Sequence, residues 1–319
     1  MAIAKDMQTV RLGRTGLEVS VAGLGCGGHS RLGMARGMDV HHAADMVRRA
    51  LDLGVTDIDT ARAYGTEEAV GLGLKGRRDE AVISTKAGIE RANGEPVSAA
   101  EMARYIDESL AKLRTDHIDV FLMHGVAAAE HPHAMTVILP ELKKQQAAGK
   151  IRFIAASEQF SGDTGHAWLQ QALADDPFDV LMVGFNLLNP SARQRVFPKT
   201  IGQDAGTLIM FAVREALSRP EALKKVVGEL IDRGQVDAGA VDANDPLGFL
   251  RDAPGAPSVV EAAYRFCRHE PGAHVVLTGT GDPEHLKANV AAILAPPLPP
   301  EILVRLEAIF GRVDSVSGN

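Results

Sequence analysis

Short runs of β-branched and apolar residues recur along this chain, and between them lie longer stretches in which apolar residues return every three or four positions. That alternation is the pattern of a parallel sheet covered by helices, because parallel strands need long crossovers and bury both faces. Strand character covers Val19–Leu24, Thr56–Asp59, Ala81–Thr85, Ile118–Met123, Ile151–Ala156, Val180–Val183, Thr207–Phe211 and His274–Thr278. Helical spacing occupies 41–53, 66–76, 98–114, 134–148, 164–174, 219–234 and 257–269, with further helices near 283–294 and 299–311. Eight such units with no composition break between them predict an α/β fold, a closed (β/α)8 TIM barrel, rather than two doubly wound halves. The expectation is one domain over 1–319, even though about 150 residues per domain would suggest two.

Segments that follow strands form the catalytic rim of such a barrel, so 29–40, 125–134, 186–206 and 214–257 are expected there. The run Ala295-Pro296-Pro297-Leu298-Pro299-Pro300 cannot lie inside a helix and reads as a stiff joint before a closing helix. The tail Asp314–Asn319 lacks periodicity and is expected to fray.

With 319 residues, 45% hydrophobic and 24% charged, the composition is that of an ordinary globular chain, long enough to bury a large core. Thirty-four Lys and Arg against 41 Asp and Glu give a net charge of −7, which leaves no basic surface for phosphate backbones and excludes nucleic acid as a partner. No run approaches 18 consecutive apolar residues, and the N-terminus has no apolar segment of signal-peptide length. A cytoplasmic protein with no membrane partner is expected. Cys26 and Cys267 are far apart and outside any CxxC or Cys/His cluster, which points to reduced thiols. The sequence does not speak to oligomeric state.

Two motifs promise more than they deliver. Gly23-Leu24-Gly25-Cys26-Gly27-Gly28 fits the dinucleotide pattern GxGxxG, but an irregular Gly-rich stretch follows instead of a helix. Gly71-Leu72-Gly73-Leu74-Lys75-Gly76 fits it too, yet closes a helical stretch rather than opening one. His131-Pro132-His133 could pair on a metal, but no carboxylate recurs at ligand spacing, so no metal site is expected.

Chemistry concentrates at three consecutive strand ends. Asp59 closes the second strand and Tyr64 follows five residues later; Lys86 closes the third and His124 the fourth. Singly, each has an ordinary explanation: a helix cap, a rim aromatic, a solvated cation, a carbonyl partner. Four polar residues at one barrel mouth point to a catalytic centre.

These residues sit in the segments DTARAYG (59–65), STKAG (84–88) and LAKLRTDHIDVFLMH (110–124), with looser matches at AGKIRFIAAS (148–157) and TGTGDPEHLKAN (278–289). In that order they resemble the aldo-keto reductase family, from about Val10 to Phe310. The resemblance implies a barrel that moves hydride between a nicotinamide cofactor and a small carbonyl compound or its alcohol. As a carbonyl is reduced, negative charge grows on its oxygen and needs a proton donor and fixed positive groups. Tyr64 is the acid on this reading, Lys86 the cation expected to lower its pKa, and His124 the group that orients the carbonyl. By analogy with the family, Asp59 would hold Lys86 charged.

The resemblance also implies a cofactor site. The family's Ser-Asn pair after the fifth strand is here Ser157 and Glu158, and its sixth-strand Gln is Met182. Phe211 is the aromatic expected to stack on nicotinamide. Gly279, Thr280 and Gly281 would approach phosphate, and Asn289 the adenine. Where NADP-selective members carry Arg and Lys, this chain has His285 and Gly279, a loss that weakens the case for NADP unless Lys287 substitutes from its neighbouring position; the resemblance to the family still implies NADP, with NAD possible. Two other readings stand beside this one: an aldolase or lyase that uses Lys86 as a Schiff base, and a non-catalytic barrel that only binds the cofactor.

Overall fold

The computed structural model describes residues 7–251 and 256–319, so 1–6 and the stretch 252–255 of the expected 214–257 rim segment lie outside the described residues. Strands β1 (Thr9–Arg11) and β2 (Glu18–Ser20) form an antiparallel hairpin. Strands β3 (Ala22–Gly25), β4 (Asp57–Asp59), β5 (Val82–Ala87), β6 (Ile118–Val126), β7 (Ile151–Glu158), β8 (Val180–Gly184), β9 (Gly206–Met210) and β10 (Val275–Thr278) follow. These eight are parallel and close on themselves, β10 pairing with both β9 and β3. The fold is the expected (β/α)8 barrel.

Period-two alternation divides the strand residues between two cores. Val120, Leu122, Ala155, Val180, Met182, Leu208 and Val275 point inward and pack together. Their neighbours Phe121, Met123, Ile154, Ala156, Leu181, Val183, Ile209 and Val276 point outward into the helical layer. That layer includes Val40–Asp52, Ala99–Leu113, Val259–Arg268 and Pro283–Leu294. Ser98 and Glu101 form a reciprocal capping box that starts the second of these.

The expected first strand, Val19–Leu24, is two elements. The chain turns at Ser20, whose Oγ donates to the Ala22 carbonyl at 2.6 Å and accepts from the Thr56 backbone at 2.8 Å. The hairpin before that turn sends Leu12, Leu17 and Val19 into the inner core, closing the barrel at the strands' N-terminal end. Strand β1 escapes sequence reading because three residues are too few to show a period.

Two expectations about connections need correction. Much of 186–206 is not rim: Ala192–Arg195 and Phe197–Gly202 are short helices outside β8, too brief for a helical period to register. Nor does the tail fray. Asn186 and Asn189 donate side-chain hydrogen bonds to the carbonyls of Ser317 (3.1 Å) and Val316 (2.9 Å), the Ala216 amide donates to Gly318 (3.0 Å), and Arg195 pairs with Asp314 (2.7 Å). These side-chain-to-backbone bonds fasten 314–319 across the rim.

Gly13 in the hairpin turn has φ +50°, and a Cβ there would lie 2.3 Å from the Gly206 nitrogen; Gly16, at φ +68°, faces open space. Gly13→Ala should therefore cost about 2 to 4 kcal/mol, combining the left-handed penalty with overpacking, whereas Gly16→Ala should cost only about 1 to 2. Urea titrations followed by the fluorescence of buried Trp168 would measure both; equal losses would contradict this account of the hairpin.

Candidate active site

The polar convergence at the barrel mouth starts from register. Asp59 pairs with Ser84 across β4 and β5, so Lys86, two residues further on, reaches back over the end of β4. Its Nζ donates to both carboxylate oxygens of Asp59, at 2.6 and 2.7 Å, and to the Thr60 carbonyl at 2.9 Å. Ser84 Oγ donates to the same carboxylate at 2.8 Å. All three ammonium protons are thus engaged in a side chain with no solvent exposure.

Tyr64 is delivered by a tight turn, Arg62–Tyr64, that ends at Gly65 with φ +72°. Arg62 anchors the turn by pairing with Glu108 at 2.6 Å and lying 4.0 Å over the Tyr105 ring. On the other side a Cβ at Gly27 would fall 2.4 Å from the Tyr64 ring. Gly27 thus leaves room for the phenol. The Lys86 ammonium lies 5.1 Å from the Tyr64 ring centre, and His124 Nε2 lies 3.5 Å from the phenol oxygen with the rings edge to face.

The electrostatics differ from the sequence expectation at one point. Burial drives the Tyr64 phenol above its ordinary value, and Lys86 offsets this only in part. Desolvation is the larger effect because the phenolate would be partly withdrawn from water at the mouth. Burial likewise pulls Lys86 down, but Asp59 and Tyr64 outweigh it and the ammonium is held charged. Asp59 is raised by burial against the pull of Lys86. Burial, reinforced by Lys86, pushes His124 down to about 3, so the imidazole is neutral at physiological pH.

The residues expected to hold a cofactor divide into three groups. Ser157, on the inward face at the end of β7, and Phe211, just after β9 with φ +65°, both stand at the mouth. Gly279, Thr280 and Gly281 precede the helix Pro283–Leu294, and Gly281 presses on the backbone of Gly33 while its carbonyl meets His42 Nε2 at 2.9 Å. His285 is exposed on the first turn of that helix, whose N-terminus is capped by Asp282; Asn289 donates to Thr278 Oγ1 at 2.9 Å.

The third group does not reach the mouth as expected. Glu158 lies on the outward face, where its buried carboxylate meets His166 Nδ1 at 2.9 Å and accepts from the Gly184 amide at 2.7 Å. Met182 is inner-core filling. Neither supplies the amide that the family pattern has at these positions: alternation along β7 turns Glu158 outward, and a thioether offers no donor.

Sequence reading missed two cations near this region. Arg36, from the loop after β3, lies close enough to Asp282 to help hold its carboxyl below the usual range, after the backbone amides of His285 and Glu284. Arg214 lies 4.2 Å over the Phe211 ring. Positive charges in irregular loops carry no periodic signal. His131 and His133, once weighed as metal ligands, hydrogen-bond Asp175 and the Val97 carbonyl instead. A cavity of about 770 Å³ outside the barrel, lined by Phe197, Ile201, Phe266 and Leu303 among others, touches none of the four mouth residues. Convergent polar groups, rather than cavity size, mark the site.

A closed parallel barrel with a phenol, a carboxylate-held ammonium and a neutral imidazole at the strands' C-terminal ends is built for an oxidoreductase that handles a carbonyl oxygen. The model of the aldo/keto reductase family matches residues 23–310, and the chain belongs to that family. It is 30% identical over 304 residues to aldo-keto reductase YhdN of Bacillus subtilis (strain 168), covering 88% of this chain and 87% of that protein. It is 35% identical over 150 residues to L-galactose dehydrogenase of Arabidopsis thaliana, 45% of this chain and 46% of that one. The holo form of aldo-keto reductase AKR11C1 from Bacillus halodurans superposes with a TM-score of 0.73 at 25% identity, over 94% of this chain and 95% of that chain. The protein is accordingly a nicotinamide-dependent oxidoreductase of carbonyl compounds.

His124 also sets a pH signature. Its pKa is far below that of an unfolded imidazole, so between about pH 6.5 and 3 the unfolded chain binds the extra proton and the fold loses stability as pH falls. The contribution is at most about 1.4 kcal/mol per pH unit. Replacing it by His124→Gln should make the decline in stability from pH 7 to 4.5 shallower than in the wild type, as read by urea midpoints; an unchanged slope would mean His124 is not buried neutral.

Proposed function

We propose that the protein reduces an aldehyde or ketone with NADPH, with Tyr64 as the general acid, and that the reverse oxidation uses the same residues. The observation that carries this reading is the engagement of Lys86 by Asp59 and Thr60 directly beneath the Tyr64–His124 pair. The donor set suits a nicotinamide cofactor: an aromatic shelf at Phe211, a hydroxyl at Ser157, and a glycine loop at 279–281 bordered by Arg36 and His285. Those basic side chains favour the 2′-phosphate of NADP over NAD. When bound, the cofactor supplies or accepts the hydride.

The residues of this chain position the carbonyl and move its proton. Burial keeps the phenol protonated at neutral pH, so Tyr64 is ready to donate to the developing alkoxide. Lys86, fixed and charged, favours that transfer because it stabilises the phenolate left behind. Neutral His124 offers an N–H toward the same oxygen without a competing proton. A Schiff base at Lys86 is disfavoured, since it needs a free amine lone pair and all three ammonium protons are engaged. Cytoplasmic residence fits this reading, and among the described residues no helix is long and apolar enough to cross a membrane. One barrel domain carries the whole activity on this reading.

Tyr64→Phe should lower kcat by about 10² to 10⁴ fold with little change in NADPH affinity. A rate within twofold of wild type would remove Tyr64 from the mechanism. Because the phenol is held above its ordinary value near 10, reduction should be flat from pH 6 to 8 while alcohol oxidation climbs steadily toward pH 10. Parallel fluorescence titrations with NADPH and NADH should give the tighter Kd for NADPH; equal constants would leave the basic border without a role in selectivity.

A further inference from the structure

Arg214 is a half-buried guanidinium with no acidic partner among the described residues. It follows β9, covers one face of Phe211 at 4.2 Å, and its Nη1 lies 3.6 Å from where a Cβ of Gly28 would be. Gly27, the preceding residue, packs on the Tyr64 ring, so Arg214 stands beside the reacting phenol. Consistent with that placement, burial pulls its pKa down and Tyr64 pulls it back up. Among the described residues its side-chain hydrogen bond runs from Nε to the amide oxygen of Asn319 at 2.7 Å, a neutral acceptor on the fastened tail.

An always-charged group taken partly out of water normally finds a carboxylate, because burying it alone is costly. Elsewhere on this chain several half-buried guanidiniums do so: Arg14 meets Asp176, Arg78 meets Asp119 and Arg193 meets Glu270, whereas Arg268 donates to the Gln8 amide oxygen. At Arg214 the bond to Asn319 fixes the Nε edge and leaves the paired Nη groups for a bidentate oxyanion. The glycine loop at 279–281, proposed above for the cofactor phosphate, follows the neighbouring strand β10, so a cofactor role for Arg214 is separated from a substrate role by measuring NADPH affinity alongside substrate preference.

We propose that Arg214 is a specificity-determining residue that receives a carboxylate on the substrate, making short oxo carboxylic acids the preferred class. This rests on the reductase reading and narrows it. The acid is bound through its two oxygens while its carbonyl meets Tyr64 and His124, and the carboxylate itself is unchanged by the reaction.

The test compares NADPH oxidation with 4-oxobutanoate, 3-carboxybenzaldehyde and 4-carboxybenzaldehyde, each against its methyl ester, in wild type, Arg214→Leu and Arg214→Lys. In the wild type kcat/KM should favour at least one acid over its ester, and Arg214→Leu should shrink that ratio by about 10 to 100 fold, as expected for loss of a charge-assisted pair. Arg214→Lys should fall between, keeping the charge but losing the fork. NADPH Kd, measured on the same preparations by fluorescence, should move less than the ratio does. Absence of any acid preference in the wild type overturns the inference, as does a preference that survives in Arg214→Leu. A Kd for NADPH that weakens while the ratio stands would assign the guanidinium to the cofactor instead. If the esters are reduced as well as the acids, only this inference falls; if neither class is reduced, the reductase reading falls with it.

Discussion

The ion pair between Lys86 and Asp59 is the constraint around which the barrel mouth is organised. Removing both charges from water costs several kcal/mol each, and a single 2.6 Å contact would not offset that. The offset comes from completeness: three acceptors around the ammonium, and the Ser84 hydroxyl on the carboxylate as well. Such a pair tolerates little movement, so it fixes the end of β4 relative to β5. The turn that carries Tyr64 begins at the next residues, Thr60 and Ala61. Position of the phenol is thus inherited from the salt bridge.

A second carboxyl tightens this account. Asp57 lies two residues before Asp59 on the same inward face, one layer deeper, and neither of its oxygens has a hydrogen-bond partner among the described residues. Burial, with help from the Asp59 charge, pushes it up to about 8. It is therefore protonated at neutral pH, and the inner barrel beneath the mouth holds one positive and one negative charge rather than a negative excess. Gly23 faces it and leaves the room; a Cβ there would lie 2.7 Å from Asp57 Oδ2. An ionised Asp57 would compete with Asp59 for the field of Lys86, the same field that eases proton transfer from Tyr64.

Barrel strands and most outer helices were legible in the sequence because both depend on periodicity, which a single chain records directly. Asp59, Tyr64, Lys86 and His124 were legible because strand ends on a barrel are a known address. Other features left no such trace. Strand β1 is three residues long; the helices at 192–202 are broken by Pro198; and the tail is held by Asn186 and Asn189, whose bonds to distant carbonyls have no local signature. The direction of the Tyr64 shift was misread for a related reason. A neighbouring cation can be inferred from spacing, but the burial that opposes it depends on distant residues, such as Gly27, packing on the ring.

The departures at Glu158 and Met182 follow from the same geometry. A family member with amides at these positions would use them on the nicotinamide carboxamide; here the Glu158 carboxylate is spent on His166 and Gly184. His166 stacks on Phe160, and Phe160 meets Phe211 edge to face. Glu158 therefore acts on the mouth through packing, supporting the aromatic shelf from behind. Phe211 needs that support, because its backbone sits in the left-handed region at φ +65°, a conformation that costs about 1 kcal/mol or more and persists only where surrounding contacts hold it. On the proposed reading, a site that has exchanged carboxamide donors for a rigid shelf depends more heavily on stacking and on its phosphate-side contacts. Discrimination between cofactors then rests on Arg36 and His285 rather than on the strands that hold the catalytic groups.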